Sequence, residues 1–224
     1  MIKFKNILQE LSGEETSREQ FVLGASRDIV NAFKSGVRKY KDTFILPRGG
    51  EEAEVNLDIT FIKRPKQEYA FSIAAGFGPK KRGDEDALEM LVEYNPKWFP
   101  NAMNAFVAEV KETLEHELEH VGQQNFDDMY VVSNRYDQPL AYPEESPQAP
   151  THFLYLTSNV EVPAYVKGLL KRAKVKGLSF EEALEDYYSD YVDTFRVYST
   201  DWSKVKKIWT DWALANRDKL RKFT

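Results

Sequence analysis

The sequence contains no cysteine. Disulfides and thiolate metal sites are therefore excluded, and any metal must be held by nitrogen and oxygen ligands. Histidine is nearly as scarce, with three in 224 residues, so any pattern the histidines form carries information. Long apolar runs are missing as well. None approaches the roughly 18 residues that a membrane-spanning helix requires. Met1 to Leu11 mixes Ile2, Phe4, Ile7, Leu8 and Leu11 with Lys3 and Lys5. It reads as a short amphipathic segment without the apolar stretch and cleavage site of a signal peptide. A net charge of −5 lacks the basic excess of a nucleic-acid binder. Two basic stretches, Lys80-Lys81-Arg82 and Lys171 to Lys176, read as solvated faces or loops.

What is present supports a folded chain. Hydrophobic residues make up 42% and charged residues 30%, enough for a core and a water-facing surface. The length suits one domain over residues 1–224, or a compact domain with a helical extension. That implies an N-terminal helical segment over about residues 1–50, a core over about 51–175 and C-terminal helices over about 176–224. Phe21, Ala25, Ile29 and Phe33 recur every four residues and predict a helix from Ser17 to Lys39. Pro47-Arg48-Gly49-Gly50 then breaks the chain. Three strand-like runs follow: Val55 to Ile62, Tyr69 to Phe77 and Leu88 to Tyr94. A helix is predicted over about 101–123, with Met103, Val107, Val110, Leu114, Leu118 and Val121 as its apolar stripe. Residues 125–150 carry four prolines and read as a long loop. Helices are predicted over about 161–175, 180–195 and 201–221. Ser179 and Glu182 stand in capping-box spacing at the second. Trp202, Val205, Trp209, Trp212 and Leu220 share one face of the third. The order of elements predicts an α+β fold with a small antiparallel sheet.

The chemistry sits in Leu114-Glu115-His116-Glu117-Leu118-Glu119-His120, which contains His-Glu-x-x-His. On a helix, positions i and i+4 share a face, so His116 and His120 can reach one Zn²⁺ ion. Glu117 follows the first histidine, where it can touch a metal-bound water and serve as general base. Three histidines scattered at random would form this pattern in well under about one case in a hundred. The histidines also fall about 200° around the axis from Leu114 and Leu118, away from the apolar stripe. The bland alternative is a solvated, Glu-rich helix face with chance histidines.

A catalytic zinc site needs a third protein ligand and an open position. The short-spacer pattern with a third histidine is absent: Gln123 and Phe126 stand where its Gly and His would fall. Ligand chemistry permits Asp127, Asp128, Asp137, Glu144, Glu145, His152 and Glu161. Glu161 is the preferred candidate, ahead of His152 and the acidic loop. A capping box of Ser158 with Glu161 would place Pro163 fifth in the helix, where its ring clashes with the carbonyl four residues back. A helix starting nearer Glu161 avoids the clash and frees that carboxylate. His152, Tyr155 and Tyr165 flank the segment and are candidate oxyanion donors, although tyrosines more often serve packing.

His116-Glu117-Leu118-Glu119-His120 and Glu161-Val162-Pro163-Ala164 together resemble the gluzincin kind of zincin metallopeptidase. The downstream Glu-x-x-Ala is similar to that of ImmA/IrrE-like peptidases and small bacteriophage metallopeptidases. About 50 residues carry the resemblance. It implies a zincin-like fold with the sheet packed on the motif helix. It also implies zinc ligands His116, His120 and Glu161, with Glu117 as base and a protein or peptide as substrate. In that family a strand over the motif helix binds extended peptide, and Leu88 to Tyr94 is the expected counterpart. Neither nucleic acid nor membrane is expected as a partner. The expected location is cytoplasmic, in the host cytoplasm or the virion if the origin is a bacteriophage. Two other functions fit the residues: a non-enzymatic virion or assembly protein with a structural or vestigial metal site, and a metal-dependent amidase acting on a non-peptide substrate.

Overall fold

The computed structural model describes residues 13–48, 51–79, 86–122 and 149–220. The fold is mixed α+β, a four-stranded sheet with several helices. The chain divides into two compact units, residues 1–118 and 119–224, with the division falling inside one continuous helix.

The first unit begins with helix α1, Gly13–Lys34. Its buried face carries Phe21, Ala25 and Ile29 of the periodic set, together with Val22 and Val30, whereas Phe33 is half-buried. The helix ends five residues earlier than predicted because Gly36 adopts φ +75°. The Gly36 amide then donates to the Phe33 carbonyl, and the Val37 amide to the Ala32 carbonyl. This left-handed glycine cap satisfies the helix's last carbonyls and turns the chain.

Four strands follow: β1 Lys39–Arg48, β2 Glu51–Lys63, β3 Phe71–Pro79 and β4 Asp86–Tyr94. The last three match the predicted runs. β1 is an additional strand where only a helix end and a chain break were predicted. It pairs antiparallel with β2 from Lys39↔Thr60 to Arg48↔Glu51. Pro47 is tolerated because β1 lies at the sheet edge, where a missing N–H need not cost a ladder bond.

The sheet order is β1-β2-β4-β3. It is mixed rather than antiparallel: β2 and β4 run parallel, from Asn56↔Ala87 to Lys63↔Tyr94, whereas β3 and β4 run antiparallel. Leu88 to Tyr94 therefore lies in an inner strand, with ladder partners on both sides. The expectation that it binds extended peptide fails, because no open backbone edge remains there. On β2, Val55, Leu57, Ile59 and Phe61 are buried, and Leu88, Met90 and Val92 are buried on β4. Phe33 of α1 meets Phe61 at 5.5 Å between ring centroids.

A 3-10 turn, Phe99–Ala102, leads into helix α2, Met103–Gly122. Phe106 anchors α2 by ring contacts with Phe71 of β3 at 5.4 Å and with Phe33 at 5.6 Å. Val110, Leu114, Leu118 and Val121 of the predicted stripe are buried, as is Phe106, whereas Met103 and Val107 are half-buried.

The second unit is helical: α3 Ala149–Leu156, α4 Glu161–Lys176, α5 Phe180–Val197, α6 Trp202–Ala215 and α7 Arg217–Leu220. α3 begins inside the stretch read as loop; the rest of that stretch lies outside the described residues. The capping box forms as read: Ser179 Oγ accepts from the Glu182 amide, and the Glu182 carboxylate accepts from the Ser179 amide. The core gathers Leu156, Val162, Val166, Leu169, Leu184, Phe195, Val205, Trp209 and Leu220. Trp209 is fully buried, and its indole N–H donates to the Leu156 carbonyl at 2.8 Å. Among the described residues, no helix is long and apolar enough to cross a membrane.

Candidate metal centre

His116 and His120 lie one turn apart on α2, as the motif spacing requires. Glu161 is the first residue of α4. Val160, its N-cap residue, supplies no side-chain cap. The Glu161 amide donates to Ser158 Oγ at 3.2 Å, and the Val162 amide to the Ser158 carbonyl at 3.0 Å. The serine thus steadies the entry turn while the helix itself starts at Glu161. Pro163 then falls in the first turn, where no intrahelical N–H donor is needed.

One ligand atom from each of His116, His120 and Glu161 lies within 4.8 Å of the other two, a grouping able to hold a metal ion. Glu161 Oε2 stands 3.6 Å from His120 Nε2. That exceeds the usual 2.7–3.2 Å range of an N–H···O bond. Two ligands about 2.0–2.2 Å from one tetrahedral zinc ion stand about 3.3–3.5 Å apart, close to the observed gap. His120 and Glu161 are buried, at 5% and 8% exposure, and His116 is half-buried.

The motif face of α2 is not solvated. Glu112, Glu115 and Glu117 are all buried, unlike the glutamates of a solvated helix face. Buried carboxylates require cations or donors. In the first unit, Arg18 Nε donates to Glu115 Oε1 at 2.6 Å, and Arg18 Nη2 to the Glu115 carbonyl at 2.9 Å. In the second, Lys167 Nζ pairs with Glu119 Oε2. Each motif histidine is therefore preceded by a glutamate held by a cation from another helix. No local signal announces these pairs, because Arg18 and Lys167 are remote from the motif in the chain.

The other candidates lie elsewhere. His152, on α3, is not part of the group. Its Nδ1 is 2.7 Å from Thr200 Oγ1, and its ring stacks on Tyr198 at 4.7 Å. Burial holds its pKa below the ordinary histidine value. Tyr155 and Tyr165 meet edge-on at 6.4 Å. Tyr165, one turn beyond Glu161, stacks on Trp209 at 4.7 Å. Burial pushes its phenol well above the ordinary pKa, with added contributions from Tyr155, Tyr187 and the Glu161 carboxylate. A side-chain hydrogen bond with Tyr155 adds to the shift, so the hydroxyl stays protonated. Asp127, Asp128, Asp137, Glu144 and Glu145 lie outside the described residues, as does Lys80-Lys81-Arg82.

The basic stretch Lys171 to Lys176 departs from its reading as a solvated face. Lys171 and Arg172 are buried. Arg172 pairs with Asp190 and, at 2.6 Å, with Asp186, which also takes Lys176 at 2.6 Å. The usable signal was Asp186 and Asp190 at i,i+4 on the next helix, an acidic pair spaced to receive a buried guanidinium.

No family model matches the chain, and no curated protein or solved structure matches it.

Proposed function

We propose that the chain is a zinc-dependent metallopeptidase of the zincin kind, hydrolysing peptide bonds of a protein or peptide. The observation that carries this function is the convergence of Glu161, from a separate helix, with the two motif histidines. Two imidazoles and one carboxylate fit zinc with one position left open for water.

When bound, zinc would act as a Lewis acid and bring the pKa of a water down toward about 7. The remaining work falls to the chain. His116, His120 and Glu161 hold and orient the ion. Glu117, buried beside His116 on the same helix, accepts the water's proton at its carboxylate and passes it to the departing amine. The protonated Tyr165 hydroxyl and that of Tyr155 are the nearby candidates to stabilise developing negative charge on the carbonyl oxygen. An extended substrate that adds to the sheet would take an edge strand, β3 or β1, since β4 is paired on both sides.

Elemental analysis of the purified chain, beside assays on an unstructured protein, tests this function. About one zinc per chain is expected, with loss in the His116→Ala/His120→Ala double variant. Full zinc occupancy in that variant would overturn the metal site. Zinc at full occupancy with no cleavage of any unstructured protein or peptide would overturn the peptidase assignment.

A further inference from the structure

Helix geometry alone sets the spacing of His116 and His120. It does nothing for Glu161, which arrives on another helix and must be placed by tertiary contacts. Within the second unit, side-chain contacts among the described residues link the end of α2 to α4, two of which bear on Glu161. One is His120 Nε2 with Glu161 Oε2 at 3.6 Å. The other is the ion pair of Lys167 Nζ with Glu119 Oε2. Glu119 immediately precedes His120, and Lys167 follows Glu161 by six residues, about 9 Å along the α4 axis. A single contact leaves a helix free to pivot about it. Two contacts separated along the axis fix both its distance and its swing. Both partners are largely enclosed, at 19% and 14% side-chain exposure, so solvent screens the pair less than it would an exposed one.

We propose that Lys167 is a positioning residue that, through Glu119, holds the Glu161 carboxylate against His120 before any metal arrives. This inference rests on the metal site proposed above and assigns the pair a task in it. Ligands held in place by outer partners bind tightly, and loss of such partners commonly costs about 10–100-fold in metal affinity. The alternative task for Lys167 is electrostatic only, and the two tasks differ in sign. A lysine cation near a dication repels it. If charge were all that mattered, a neutral residue at 167 would tighten zinc binding. If Lys167 positions Glu161, the same change loosens it.

The test is zinc affinity of the full chain, measured by competition with a chromophoric chelator, with circular dichroism of each metal-free variant alongside. Lys167→Met should weaken zinc binding by about tenfold or more. Glu119→Gln should weaken it similarly, and the double variant should be no worse than about twofold beyond the weaker single, because both changes break one link. Lys167→Arg keeps the cation and should stay within about threefold of the parent. Lys167→Gln carries the same prediction as the methionine variant should that chain fail to fold. Binding as tight as the parent's, or tighter, in a folded neutral variant overturns the positioning role and leaves the metal site standing. A parent chain that takes up no zinc overturns the metal site and the positioning role together.

Discussion

Replacing Glu161 by Gln removes one ligand charge at nearly constant volume, and its effect can be sized in advance. Glu161 is the one carboxylate in the three-residue group and the one member that α2 does not carry. Outer partners of a metal site are worth about 10–100-fold in affinity, so a direct ligand should be worth on the order of 10³-fold, or about 4 kcal/mol. Zinc at about 1,000 times the parent's Kd stabilises the folded chain by about 4.1 kcal/mol. At about 2–4 °C per kcal/mol for a chain of this size, that raises Tm by about 8–16 °C. In Glu161→Gln the same zinc concentration sits near the new Kd, leaving about 0.4 kcal/mol and a shift of about 1–2 °C. Differential scanning calorimetry with and without zinc reads the difference directly, and changes in metal-free stability cancel within each variant. Asp137→Asn and Glu144→Gln, from the acidic stretch before α3, serve as comparators and should keep the parent's full shift. A parent-sized shift in Glu161→Gln, or its loss in either comparator, would refute the assignment of the third ligand.

Glu117→Gln should retain the parent's zinc-induced Tm shift while kcat on an unstructured protein falls by about 10²–10⁴-fold; loss of the metal instead would show that Glu117 is a ligand. Trp209→Phe removes the indole donor from the Leu156 carbonyl, 2.8 Å away in the core. It should cost about 1–3 kcal/mol in urea unfolding, and an unchanged midpoint would contradict that bond. Burial lowers the pKa of His152, so its neutral form is favoured on folding. The stabilisation is complete above the unfolded value of about 6.5 and is lost as pH falls through the folded value. His152→Gln should therefore flatten the stability profile below about pH 6.5 relative to the parent, and parallel profiles would count against a buried neutral imidazole.

How much of this was legible depended on range. The His-Glu-x-x-His pair is local, one helical turn, and could be read outright. Glu161 was reached through Pro163, whose ring restricts where α4 can begin, and the helix does begin there. The strand faces were legible because alternation reports which side is buried, as at Val55, Leu57 and Ile59. Alternation says nothing about neighbours, so the parallel pairing of β2 with β4 and the inner position of Leu88 were not. β1 escaped notice because Pro47 looked like a break, although an edge strand accommodates it. The glutamates of α2 looked solvated because their cations come from distant segments, Arg18 and Lys167. Charge patterning within a helix cannot reveal a partner that only folding supplies.

The strand order also has a consequence for how the chain folds. β1 with β2, and β3 with β4, are two hairpins, each formed between strands adjacent in sequence. The seam between them is the eight-pair parallel ladder from Asn56↔Ala87 to Lys63↔Tyr94, and its partners are about thirty residues apart. Hairpins close in about 1–10 μs, whereas pairing at long sequence separation must first overcome the entropy of closing the intervening chain. The seam therefore joins two preformed halves and sets the pace of the sheet. Phe106 docks α2 onto Phe71 of the second hairpin and Phe33 of α1, so the motif helix gains its full footing only once that seam has closed. Synthesis from the N-terminus reinforces this sequence of events. β4 leaves the ribosome ahead of α2, and Glu161 follows later still, so the group of His116, His120 and Glu161 comes together only after every strand of the sheet has been made.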